Sequence, residues 1–452
     1  MKSFVSGFNI TNLCRELVNN SVIEPQLYDK YHVNRGLRNS DGTGVVAGIT
    51  KICNVHGYIL NEGEVEAIPG QLIYRGYNIN DLVKNVEKED RFGFEETVFL
   101  LLFGHLPSAA ELKDFTTILA LARDLPGDFV ADMILKAPSK NIMNKLARSV
   151  LALYSYDEEC EEKNIEAEMN IAISLIGKLP VIMANAYQVK RRTFNNESMV
   201  MHPINYKENT AQCILSLLRS DRQYTKEEAQ ILDCLLMLQA EHGGGNNSSF
   251  TCRVLTSSGT DPYSAYSSAI CSLKGARHGG ANLQVINMLD NCKANIKNWN
   301  DEGEVADYMR KIIRKEANDG SGLIYGMGHA VYTISDPRAV ILKKKAFELA
   351  KGREIEAEFR LLDTIERLTP EIFKEIKGSE KAMCANVDMY SGLVYRMLGI
   401  PDDLFTPLFA VARIAGWAAH RMEEIITSSR IIRPAYKAIA KNKEYVKIAE
   451  RK

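Results

Sequence analysis

The chain has 452 residues, 46% hydrophobic and 25% charged, with 56 Lys and Arg against 57 Asp and Glu for a formal net charge of -1. This length predicts two domains, or one large domain with an insertion. Near-neutral charge leaves no electrostatic footprint for nucleic acid or an anionic membrane surface, and no run is read as the roughly 18 apolar residues of a membrane span.

The opening stretch, "MKSFVSGFNITNLCRELVNN", lacks the apolar region and small-residue cleavage site of a secretory signal. The 9 cysteines are scattered from Cys14 to Cys384 without a C-x-x-C pair, the pattern of reduced thiols in a cytoplasmic protein. "NVHGYILNEGEVEAIPGQLIYRGY", residues 54–77, is a candidate β element. From there the chain reads as helix after helix. "FEETVFLLLFG" has carboxylates in its first turn and Gly104 as a stop. "TKEEAQILDCLLMLQAEH" opens on a capping box, Thr225 with Glu228, and runs to His242 before three glycines. Asp261-Pro262 and Asp336-Pro337 each place a cap before a proline at the first helical position. Residues 406–426 form a long apolar helix. The class is all-α. The charge runs at 156–168 and 343–360 read as solvated helix faces, and 191–210 as a mobile loop.

Five places set a polar residue against its surroundings. His242 ends a helix, where the dipole favours a protonated ring, and taken alone the motif favours a plain C-cap histidine with a Gly stop. His278 precedes Gly279-Gly280 and the next helix, a position that keeps an imidazole neutral and able to donate; a simple turn histidine fits too. His329 follows Gly326 and Gly328 in "YGMGHAVYTISDPRAV", and Arg338 sits in a first helical turn, against the dipole. An arginine there suits a bound carboxylate or phosphate, or else a pairing with Asp336. Asp388 stands at a helix start, as an N-cap or as a base raised by apolar neighbours. Arg413 lies inside "LFAVARIAGWAA", where unpaired burial is too costly, so an anion meets it or it snorkels. There is no P-loop, dinucleotide fingerprint, H-E-x-x-H or G-x-S-x-G. Histidines beside arginines point to an anionic substrate and acid–base chemistry.

Taken in order, "EHGGGN", "RHGGAN", "GMGHAVYTISDPR", "NVDMYSG", "ARIAGWAAH" and "RIIRP" closely resemble the citrate synthase family over residues 36–437. The resemblance implies a large domain, 1–277 with 386–452, and a small domain, 278–385, that closes over a cleft. It implies a homodimer that condenses acetyl-CoA with oxaloacetate and hydrolyses the citryl thioester, with no metal or bound cofactor. His278, His329 and Asp388 take the catalytic positions. His242, His329, Arg338 and Arg413 hold oxaloacetate, with Arg433 reaching across from the partner subunit. Tyr325, Gly326, Met327 and Gly328 line the coenzyme A site. Tyr332 and Thr333 stand where the family often carries a basic residue for a coenzyme A phosphate, with Lys343 to Lys345 as substitutes. The alternatives are a 2-methylcitrate synthase using propionyl-CoA and, from other classes, a metal-dependent hydrolase or an inactive helical scaffold.

Overall fold

Local capping chemistry sets many of the helix boundaries. In a computed structural model, which describes residues 10–39, 43–61, 64–378, 382–427 and 430–451, Thr225 and Glu228 exchange the two capping-box hydrogen bonds at the start of helix Lys226–Gln239. Asp261 accepts from the Ser264 N–H ahead of Pro262–Leu273. Gly104 closes Phe94–Phe103 in the left-handed conformation, φ 84°, which costs glycine nothing. The charge run at 156–168 does not form a helix face: turns lead up to Ile165, where helix Ile165–Phe194 begins. The run at 343–360 is broken between helices Pro337–Ala350 and Glu356–Lys377.

By compactness the chain divides into two units. Gly48–Ile432 is the larger; it holds 278–385 together with the 48–277 and 386–432 parts of the expected large domain, whose remaining ends fall in the other unit. The other combines Met1–Ala47 with Arg433–Lys452 and includes helices Ile10–Ser21 and Pro25–Lys30. Within it Arg35 stacks on the Tyr28 ring at 4.0 Å, and Arg433 is exposed.

In the larger unit, helix Phe405–Thr427 is mostly apolar and buried along nearly its whole length, with Arg413, His420, Arg421 and Glu424 among its buried residues. It packs on helices Phe94–Phe103, Ile165–Phe194, Lys226–Gln239, Asn247–Ser257 and Pro262–Leu273. Ile165–Phe194 does have the length and mean hydropathy of a membrane span, contrary to the sequence reading, although Lys178 and Pro180 interrupt it. Most of that apolar stretch is buried against neighbouring helices.

The β element is an antiparallel hairpin, β1 (Cys53–Asn61) and β2 (Glu64–Tyr74), with a short third strand, β3 (Tyr77–Asn78), beside β2. The β1–β2 register shifts between His56 and Tyr58, at Gly57. The hairpin lies against the segment that follows His329: the Gly70 N–H donates to the Ser335 carbonyl at 3.1 Å. A Cβ on Gly70 would sit 2.1 Å from that oxygen and 2.6 Å from the Tyr332 ring. Gly70→Ala is therefore expected to destabilise the protein by about 1–3 kcal/mol, the usual cost of forced overpacking. A thermal melt checks this, and an unchanged midpoint contradicts the close approach.

Candidate active site

Helix Lys226–Gln239 ends three residues before His242, so the ring stands on the turn beyond the helix rather than on its last turn. Gly243, at φ 88°, turns the chain away. The expectation of a protonated ring does not hold. Burial, with Arg338, His329 and Arg413 adding positive charge nearby, pushes the His242 pKa well below the ordinary histidine value. Its Nε2 is buried without a hydrogen-bond partner among the described residues.

His329 comes in on a loop that only glycines shape easily: Gly326 and Gly328 have φ of 84° and 90°. A Cβ on Gly326 would lie 2.7 Å from Met389 Sδ. The loop pairs with the chain before Asp388, through Met327 opposite Ala385. Asn386 adds a tie, its Nδ2 donating to the Gly328 carbonyl at 2.9 Å and its Oδ1 accepting the Asp388 N–H at 3.0 Å. His329 Nδ1 accepts from the Val331 and Tyr332 N–H groups, both at 3.0 Å. That nitrogen needs its lone pair, so the neutral ring carries its proton on Nε2. The His242 and His329 rings meet edge to face, 5.1 Å between centroids.

His278 shows the opposite tautomer. The Ser248 N–H donates to its Nε2 at 3.3 Å, and Ser248 Oγ, itself receiving the Trp417 indole N–H at 3.1 Å, lies 3.0 Å away. The ring proton then belongs on Nδ1. Burial, followed by the charge on Arg413, lowers the His278 pKa to about 4. The neutral ring expected from sequence is thus present, but from burial more than from a helix terminus.

Asp388 is the first residue of helix Asp388–Met397. Val387 occupies the N-cap, and no side-chain capping bond forms there. The N-cap reading of Asp388 is corrected: the helix starts one residue earlier than the capping signature suggests. Burial raises its pKa to about 6; Arg338 and Arg413 pull it down and Asp336 pushes it up.

The two arginines behave differently. Arg338 is buried, and Asp336 engages it in a fork, Nε to Oδ1 at 3.0 Å and Nη2 to Oδ2 at 2.7 Å. Burial opposes its charge, but Asp336 more than restores it. Asp336 also caps the helix through the Arg338 N–H, which offsets the misplaced cation in that turn. Arg413 is completely buried. Its Nε donates to the Gln239 carbonyl at 2.7 Å, and its carbon stands 4.7 Å over the Phe409 ring. Nη1 and Nη2 have no hydrogen-bond partner among the described residues.

Arg413 acts electrostatically on His242, His278 and Asp388, and Arg338 on His242 and Asp388. The structure therefore gathers His242, His278, His329, Arg338, Asp388 and Arg413 into one locality. Tyr325 at the head of the glycine loop donates to Asp319 at 2.5 Å. The lysine substitutes are partly engaged elsewhere: Lys343 pairs with Asp363 and Glu366, and Lys345 with Glu87, while Lys344 is exposed.

Sequence reasoning missed a buried relay behind His242. Glu241 accepts from His420 Nε2 at 2.8 Å, and Arg253 donates to His420 Nδ1 and to Glu424. It joins three helices or their ends, and no local pattern announces it. Among the described residues, no group of three or more His, Cys, Asp or Glu side chains is placed to hold a metal ion.

The sequence matches the family described as citrate synthase, C-terminal domain, over residues 39–435. It is 33% identical to a citrate synthase of Synechocystis sp., covering 86% of this chain and 90% of the relative. It is 31% identical to 2-methylcitrate synthase 1 of Corynebacterium glutamicum, covering 84% and 92%. The fold matches citrate synthase of Thermoplasma acidophilum, solved as a ternary complex with carboxymethyl coenzyme A and oxaloacetate, at a TM-score of 0.74, 27% identity, and 92% and 100% coverage. With a family match across most of the sequence and relatives covered nearly end to end, the chain belongs to the citrate synthase family.

Proposed function

We propose that this chain condenses acetyl-CoA with oxaloacetate and hydrolyses the resulting thioester to citrate and free CoA. One observation carries the reading: a fully buried guanidinium with two nitrogens unpartnered among the described residues, near the His242 imidazole, whose buried Nε2 is likewise unpartnered there. Such a group demands an anion, and a dicarboxylate fits Arg413 together with Arg338. Arg433 of the partner subunit completes the clamp in a homodimer.

The chemistry follows from the tautomers. Asp388 takes a proton from the thioester methyl group, and His278 donates Nδ1–H to the thioester oxygen as negative charge builds there. The new carbon nucleophile bonds to the oxaloacetate carbonyl carbon. His329, with its proton on Nε2, donates to the carbonyl oxygen as it becomes an alkoxide. Water then cleaves the citryl thioester, releasing the thiol. The proton that Asp388 takes from the methyl group balances the one that His329 gives to the alkoxide, and the attacking water supplies hydroxide to the acyl carbon and a proton to the departing thiolate. Residues 278–385 form the small domain that closes over 1–277 and 386–452, and Tyr325 to Gly328 line the coenzyme A site. Closure excludes water until the carbon–carbon bond is made. The thiols of the described cysteines are free, which suits a cytoplasmic setting.

A relative named 2-methylcitrate synthase makes propionyl-CoA the second acyl donor to test. Oxaloacetate-dependent thiol release is expected from acetyl-CoA. A kcat/KM for propionyl-CoA lower by about 1–3 kcal/mol of discrimination is expected for one extra methylene. Faster turnover of propionyl-CoA reverses the assignment, and no thiol release from either overturns it.

A further inference from the structure

His329 hangs on a loop bracketed by two glycines of positive φ, yet the proposed reaction needs its Nε2–H held on one line. The two backbone N–H groups that reach the ring both converge on Nδ1. Both bonds act within the plane of the ring, along the Nδ1 lone pair, so a wall against its face adds a restraint of a different kind.

Tyr332 lies face to face with it. The two centroids are 4.5 Å apart and the planes differ by 22°. Tyr332 is itself buried, 1% exposed, and its hydroxyl donates to the Gln71 carbonyl on β2 at 3.1 Å. The hairpin can come this close because it presents glycine twice. A Cβ on Gly57 would lie 3.2 Å from Tyr332 Cδ1, and one on Gly70 would lie 2.6 Å from Cδ1 and 2.9 Å from Cε1. A side chain at either position displaces the phenol. The edge of His242 meets the Tyr332 ring at 5.7 Å, so the three rings form one packed cluster.

We propose that Tyr332 is a positioning residue for the reaction: a phenol anchored to the β-hairpin that fixes the plane of the His329 imidazole by stacking on it. The assignment rests on the reading that His329 polarises the oxaloacetate carbonyl. It gives the hairpin a function, as the rigid wall behind a catalytic ring on a pliable loop.

Tyr332→Leu removes the stack, and Tyr332→Phe keeps the ring but removes its anchor. The test combines steady-state kinetics with long-range proton–nitrogen NMR of the histidine rings. For Tyr332→Leu a loss of about 10–100-fold in kcat is expected, the scale set by misplacing a reacting group by about an ångström, with KM for the acyl-CoA nearly unchanged. Tyr332→Phe is expected to fall between that and wild type. The two His329 nitrogen signals, far apart for a fixed Nε2–H tautomer, are expected to draw together in Tyr332→Leu, while those of His202, whose Nε2 lies 3.0 Å from the Arg219 carbonyl, stay put. His329 signals at their wild-type positions, or kcat within about twofold of wild type for both variants, overturn the proposal. If Tyr332→Leu does not fold, the isosteric Tyr332→Phe decides by the same two readouts. If the wild-type protein shows no oxaloacetate-dependent thiol release, the condensation reading fails while the nitrogen signals still decide whether Tyr332 holds the ring.

Discussion

Asp388→Ala is expected to lower kcat by about 10²–10⁴-fold, the range for loss of a positioned general base, while oxaloacetate still binds. The argument starts from local structure. Val387 takes the cap of this helix, so the Asp388 carboxylate has no capping duty to explain its presence. Burial lifts it to about 6, against the pull of Arg338 and Arg413. A base must be ionised to accept a proton, so wild-type turnover is expected to rise as pH climbs through about 6 and to level off above it. The same residue sets both effects, and the variant should lose that acidic limb along with its rate. Thiol release across pH 5 to 8, with oxaloacetate binding measured by calorimetry, checks both. A variant that keeps kcat within about tenfold and retains the limb would falsify the assignment.

What sequence reveals here follows the range of the forces involved. Capping is decided within four residues, so the starts at Thr225, Asp261 and Asp336 and the stop at Gly104 are legible from the chain alone. Burial is decided by distant elements. His242 looks like a residue at the negative end of a helix dipole, which favours the charged ring. In the fold Arg338 and Arg413 arrive from later helices, and burial with those cations favours the neutral one. Lys343 looks like a free cation until helix Glu356–Lys377 brings Asp363 and Glu366 against it. Arg413 lies between these cases. An arginine in an apolar helix is visibly costly in sequence, but only the structure shows that, among the described residues, its Nε is hydrogen-bonded and its Nη groups are not. Tyr332 stands out in the sequence only as a departure from a basic position, because its packing role depends on two glycines of a hairpin far away in the chain.

The energetics of Arg413 make the second large prediction, one whose two parts differ in sign. Burial lowers the pKa of this guanidinium, and Glu241 and the Tyr74 hydroxyl offset that only in part. Glu241 itself is only partly committed: burial works against its charge, and His420, Arg413 and the Gly243 N–H hold it below the usual carboxylate range, while its Oε2 has no hydrogen-bond partner among the described residues. The two Nη groups of Arg413 therefore lack a hydrogen-bond partner among the described residues, with Glu241 offsetting only part of the burial, at a cost to the free protein. Arg413→Met keeps the apolar stem and removes that cost, so the unliganded variant is expected to melt at or above the wild-type temperature, as when other buried charges are replaced by hydrophobic residues of similar volume. Binding runs the other way. Removing one partner of a desolvated ion pair costs about 2–5 kcal/mol, roughly 30-fold to several thousand-fold in the oxaloacetate dissociation constant. Oxaloacetate should raise the melting temperature of the wild type by mass action and leave the variant nearly unmoved. If the variant melts well below wild type and still gains the full ligand-induced shift, Arg413 is a structural cation with a partner in solution, and the dianion clamp belongs elsewhere.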